Sequence, residues 1–225
     1  MKLYLDSADL GDVRWAAETG LIDGVTTDPS LLSAAAAAAG RDPRELLGEL
    51  ADAAGAVFAP VVALDADAMV REGRELARLA EGLVVTVPVL EEGLVAVRRL
   101  TAEGIAVGVT LVATAMQGLL AAKAGAGTVI AAVGPLDDAG HEGMELVAQL
   151  RALVDAHDLE TEVVAGALRH PAHALQAALA GADAAAVPAA TLRALLVHPL
   201  TDKGVDRYLN DWSTLGRHAR PEATP

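Results

Sequence analysis

Two aspartates, two threonines and an arginine stand where apolar runs end or are interrupted, and these side chains could do chemistry. Asp6 closes KLYLD (2–6) and Asp28 closes GVTTD (24–28). Thr86 is the lone polar side chain in LVVTVPV (83–89), Thr110 lies in AVGVTLV (106–112), and Arg169 and His170 follow TEVVAGAL (161–168). Paired carboxylates on neighbouring strands raise one another's pKa, which keeps one protonated as general acid and leaves the other as base. An arginine presents a planar fork of donors to an anion.

Most of these residues also have a plainer reading. Asp28-Pro29 has the form of a helix N-cap followed by proline at the first helical position. Asp65 before ADAMV reads the same way, and His170 before Pro171 reads as a cap or surface residue. Thr86 and Thr110 are β-branched and suit a strand on that ground alone. Asp6 has no such account, because Ser7 or Asp9 is placed to cap the next helix. The six histidines are scattered, and His170 with His173 lacks a nearby carboxylate to complete a ligand set, so no metal is expected.

These residues need a frame. Further strand candidates are 56–63 (AVFAPVVA), 128–134 (TVIAAVG) and 183–188 (DAAAVP), which brings the set to eight. Most are continuously apolar, as parallel strands covered on both faces must be. Helical patterns such as 65–80 and 141–159 lie between them, and Gly20, Gly55, Gly104, Gly125 and Gly181 each precede the next strand. Glycine supplies the left-handed conformation that commonly ends a helix. Eight strand–helix units predict an α/β fold of the closed (β/α)8, or TIM-barrel, kind, whose chemistry sits at the carboxyl ends of the strands. A doubly wound open sheet is the rival, but no glycine-rich dinucleotide fingerprint follows any strand. The barrel is expected over 1–200.

Residues 201–217 predict one more helix. Its Val205, Tyr208, Leu209 and Trp212 form an apolar stripe at i, i+3, i+4 and i+7, to dock on its own barrel or on a neighbouring subunit. Residues 218–225 are expected to be a flexible tail.

Composition narrows the partners. A formal net charge of −14 argues against nucleic acid and anionic membranes. With no cysteine, disulfides and thiolate chemistry are excluded. Asp6 and Asp9 interrupt what a signal peptide would keep apolar, and no run is long enough to span a bilayer. A cytoplasmic protein is expected. Apolar residues make up 53% of the chain and aromatics only 2%, so the core must be aliphatic.

Together these segments resemble the short transaldolase and fructose-6-phosphate aldolase family nearly end to end. KLYLDSAD resembles its opening and GVTTDPSLL its GVTTNPSLI; VTVPV is similar to its VKVPV. GVTLVATAMQGLLAAKAGA, VGPLDDAGHEGMELV, ALRHP and HPLTDKGVDRYLNDW resemble further segments in the same order. The family's lysine forms a Schiff base with a ketose, and the resemblance puts Thr86 in its place. A hydroxyl cannot form an iminium, a loss of about a millionfold, roughly 8 kcal/mol, by analogy with nucleophile deletions. The other lysines are Lys2, Lys123 and Lys203, none placed to enter the barrel mouth.

By the same resemblance Asp28 replaces a substrate-holding asparagine, Pro60 a water-placing Gln or Glu, and Pro135 a phosphate-holding arginine. Ala132 replaces an aromatic and Ala167 a serine. Asp6, Thr110 and Arg169 survive: an acid/base-assisting carboxylate, a water-positioning hydroxyl and a phosphate-facing guanidinium. The expected protein is a barrel that has lost Schiff-base chemistry and now binds or converts another small molecule at its mouth, with Asp6 and Asp28 as acid/base pair and Pro60, Ala132, Pro135 and Ala167 widening the pocket. No cofactor is expected, and the resemblance implies a ring-shaped homo-oligomer. A non-catalytic scaffold or regulatory subunit is the first alternative, and residual activity on sugar phosphates the second.

Overall fold

The computed structural model describes residues 1–218, with side chains to residue 214. Eight strands alternate with helices. The strands are β1 (Lys2–Asp6), β2 (Gly24–Thr26), β3 (Ala56–Pro60), β4 (Leu83–Pro88), β5 (Val107–Val112), β6 (Thr128–Ala132), β7 (Glu162–Gly166) and β8 (Ala184–Val187). All pair in parallel with their sequence neighbours, and β8 returns to β1 to close the barrel. The expected (β/α)8 barrel is the observed fold.

The helices are α1 (Leu10–Glu18), α2 (Pro29–Ala39), α3 (Pro43–Ala54), α4 (Ala66–Leu76), α5 (Glu91–Ala102) and α6 (Ala115–Ala124). They continue with α7 (Val133–Asp138), α8 (Gly143–Ala156), α9 (Pro171–Leu179), α10 (Ala189–Leu195) and α11 (Pro199–His218). Two connections carry a pair of helices: α2 and α3 after β2, α7 and α8 after β6. The alanine run at 34–39 belongs to α2, which ends at Gly40 with φ of 63°. Among the described residues no helix is long and apolar enough to cross a membrane.

Strand alternation divides the core into two layers. Leu5, Val57, Val85 and Val109 face outward, into an aliphatic layer shared with Leu50, Leu100 and Leu150 of the helices. Tyr4, Phe58, Val164, Ala184 and Ala186 fill the barrel interior, with the Tyr4 and Phe58 rings 5.0 Å apart between centroids. The inner side chains are therefore two residues apart along each strand. This parity places Asp6, Thr26, Thr86 and Thr110 above the aromatic floor, toward the carboxyl ends.

Several strands stop sooner than their apolar runs. The run 56–63 pairs only to Pro60, because the N–H groups of Val62 and Ala63 donate to Glu72 Oε2 of α4 at 2.8 and 3.1 Å. The run 24–28 ends at Thr26, and Asp28 becomes the N-cap of α2.

Helix α11 begins two residues before the expected 201, and its apolar stripe is uncovered. Every described side chain from Arg193 to Thr214 is exposed, and Tyr208 and Trp212 are 70% and 69% accessible. Within one chain the stripe does not lie on its own barrel. The expected tail at 218–225 falls, beyond His218, outside the described residues.

Candidate active site at the barrel mouth

A cavity of about 380 Å³ opens at the carboxyl ends of the strands. Its walls come from one side of the barrel: Thr26 of β2 with Thr27, Asp28 and Pro29 after it, Phe58 and Pro60 of β3 with Val61 to Leu64 after it, Thr86 and Pro88 of β4, Thr110 and Leu111 of β5, and Ile130 of β6. Asp28 is the one ionisable side chain among these lining residues.

Asp28 combines both of its sequence readings. Its Oδ1 accepts the Leu31 N–H at 2.8 Å as the N-cap of α2, with Pro29 at the first helical position, and its carboxylate borders the cavity. Asp6 lies beside this wall, out of the lining itself. Thr26 Oγ1 donates to Asp6 Oδ1 at 2.9 Å. Burial lifts the Asp6 pKa above the ordinary carboxylate value; the Thr26 hydrogen bond opposes the shift and the charge of Asp28 adds to it. The charge of Asp28 thus acts on Asp6, which burial biases toward its protonated form.

Thr86 is 3% exposed and borders the cavity, between Pro60 of β3 and Gly108 of β5 in the strand register. Among the described residues no side-chain hydrogen bond engages Thr86 or Thr110. The register between β5 and β6 slips between Val109 and Val112, and within that bulge Leu111 takes φ of 62°. A leucine in the left-handed region is strained, and such strain gathers at functional sites. Its effect here is to turn Leu111, 64% exposed, over the cavity beside Val62 and Leu64.

The remaining site residues stand across the barrel. Ala132, Ala167 and Arg169 do not line the cavity, and of the positions expected to widen it only Pro60 does so. The Arg169 guanidinium forks onto both oxygens of Asp138, which holds Asp138 below the usual carboxylate range. Asp65 caps α4 by accepting the Ala68 N–H at 2.9 Å, as its sequence context predicts.

Sequence reading missed one cluster. The His170 and His173 rings meet at a 47° tilt with centroids 3.6 Å apart, and α7 brings Asp137 Oδ2 to 3.5 Å from His173 Nε2, so the pair does have a carboxylate neighbour. The Arg169 N–H donates to His173 Nδ1 at 3.4 Å, which leaves the proton of neutral His173 on Nε2, facing Asp137. Among the described residues no group of three or more His, Asp or Glu could hold a metal ion.

No lysine among the described residues approaches the cavity. Lys2 pairs with Glu162 at 2.5 Å at the opposite end of the barrel. Lys123 is in the last turn of α6 and Lys203 in α11.

Comparison with known proteins fits this geometry to a family. The profile of the family described as "Transaldolase/Fructose-6-phosphate aldolase" matches residues 3–219. A protein of Herpetosiphon aurantiacus named probable transaldolase is 48% identical over 213 residues, covering 94% of this chain and 95% of its own. Proteins of the same name from Halalkalibacterium halodurans and Methanococcus maripaludis (strain C7) are 45% and 46% identical. They cover 95% and 94% of this chain, and 99% and 97% of their own length. A solved structure of a mandelate oxidase mutant with a monooxide FMN adduct matches at a TM-score of 0.58 and 17% identity, over 83% of this chain and 64% of that one. That likeness shows the fold alone.

Proposed function

This chain belongs to the transaldolase/fructose-6-phosphate aldolase family, and we propose that it is a member without Schiff-base chemistry, whose mouth binds or converts a different small molecule. The observation that carries this reading is Thr86: the side chain resembling the family's lysine position is a buried hydroxyl facing the cavity. A Schiff base needs an amine that loses water with the carbonyl carbon, and none of the three lysines is near.

Asp6 and Asp28 supply the remaining acid/base capacity. Asp6, kept toward its protonated form by burial, serves as acid through the carboxyl oxygen that Thr26 leaves free, since Thr26 Oγ1 donates to Oδ1. Asp28 at the edge serves as base. Both Thr86 and Thr110 orient the bound molecule, and Arg169 contributes to anion recognition only by leaving Asp138. This division of roles fits a proton-transfer reaction at a single substrate better than C–C transfer between two sugars. Action in the cytoplasm is part of the reading.

Borohydride reduction in the presence of fructose 6-phosphate, followed by intact-protein mass measurement, tests it. The expected result is an unmodified mass. A hexose-sized adduct would sink the proposal and restore the activity that the names of the relatives imply.

A second reading has its own observation. The uncovered stripe of α11 is the kind of surface that docks on another subunit, and a barrel retained for assembly would be a non-catalytic scaffold. Ring-shaped homo-oligomerisation through α11 is compatible with either reading.

A further inference from the structure

The charge pattern of the mouth constrains what it takes. Sugar phosphates need cations or convergent N–H donors, yet the cavity lining includes neither lysine, arginine nor histidine. The positive end of α2 is already occupied, because the Asp28 carboxylate accepts the Leu31 N–H there. Arg169 is spent on Asp138. An incoming phosphate or carboxylate would therefore meet Asp28 with nothing to offset the repulsion.

Polyols fit little better. Val61, Val62, Leu64, Leu111 and Pro60 present apolar surface, and each hydroxyl placed against it would give up water without a partner. A wholly apolar ligand would in turn leave the exposed Asp28 carboxylate in water at the cavity edge and gain nothing from it. Only an organic cation answers both walls at once.

We infer that the mouth recognises a small organic amine, its ammonium on Asp28, its apolar body against Val61, Leu64 and Leu111, and a neutral polar group at Thr86 and Thr110. The inference rests on the reading above, in which this cavity no longer holds a ketose, and with an ammonium on it Asp28 acts as anchor in place of base. A volume of about 380 Å³ sits at the lower end of small-molecule pockets, which run from about 300 to 1,000 Å³. Asp28 is preorganised for the task, since the cap bond fixes its carboxylate before the ligand arrives.

Titration calorimetry at neutral pH with 2-phenylethylamine, 2-phenylethanol and 3-phenylpropionate tests the inference by varying only the head group. The amine should bind about two- to fivefold more tightly than the alcohol, as an ion pair on an exposed carboxylate predicts, and the carboxylate more weakly than either. Asp28→Asn keeps a competent N-cap, so the fold should survive while the amine loses its advantage over the alcohol. Leu64→Ser should weaken amine and alcohol alike, locating both in this cavity. Amine binding no tighter than alcohol, a preference that survives Asp28→Asn, or no binding of any probe would each overturn the inference. A borohydride-trapped ketose would overturn the underlying reading instead, whichever probe binds.

Discussion

Thr26 Oγ1 and Asp6 Oδ1 meet at 2.9 Å, joining the second strand to the first immediately behind the cavity wall. The bond stabilises the carboxylate form of Asp6, whereas burial, the larger effect, and the charge of Asp28 favour the protonated form.

That opposition predicts a pH-dependent stability difference. Asp6 binds its proton more tightly folded than unfolded, so its contribution is fully present below the ordinary aspartate pKa and is lost as pH rises through the raised folded value. Asp6→Asn, which still accepts from Thr26, removes this loss. Urea midpoints of the variant should therefore gain on those of the native protein as pH increases from about 3 to 8. A gap that does not change with pH would contradict the coupling.

Restoring the amine should restore only part of the chemistry. Thr86→Lys is expected to give a borohydride-trapped adduct with fructose 6-phosphate, detected by mass, where the native protein gives none. Dihydroxyacetone transfer should remain at least about a hundredfold below a lysine-bearing relative, since each missing positioned donor costs on the order of a hundredfold. Full transfer by this single variant would mean that the surrounding substitutions are silent.

Gly93 at the start of α5 permits a close approach to β4: a Cβ there would lie 2.2 Å from the Pro88 carbonyl oxygen. Gly93→Ala should cost about 1–3 kcal/mol in a urea titration. Because Pro88 borders the cavity, 2-phenylethylamine should also bind the variant more weakly.

Replacing Tyr208 and Trp212 together by serine tests the uncovered helix. Light scattering should report a multimer for the native chain and a smaller species for the variant, with unchanged far-ultraviolet dichroism. A native monomer would leave the α11 stripe without its proposed role.

Local pattern made the barrel legible. Continuous Val and Ala runs punctuated by glycine marked all eight strands, and β1 occupies the residues its sequence predicts. The end points failed where a side chain from elsewhere took over the backbone, as Glu72 does at Val62 and Ala63. At the site, the dual character of Asp28 and the position of Thr86 could be read from sequence. The pairing of Asp137 with His173, the fork of Arg169 on Asp138 and the twist at Leu111 could not. The two pairings join separate strand–helix units, and the twist arises from a register slip, so none leaves a periodic trace.

Since the cavity is walled by β2 through β6 alone, a bound molecule sits off the barrel axis. The arc from β7 through β8 to β1 then carries mainly shape, apart from Asp6 and Arg169 at its ends, and mutational libraries aimed at new chemistry can start from the five strand ends that line the cavity.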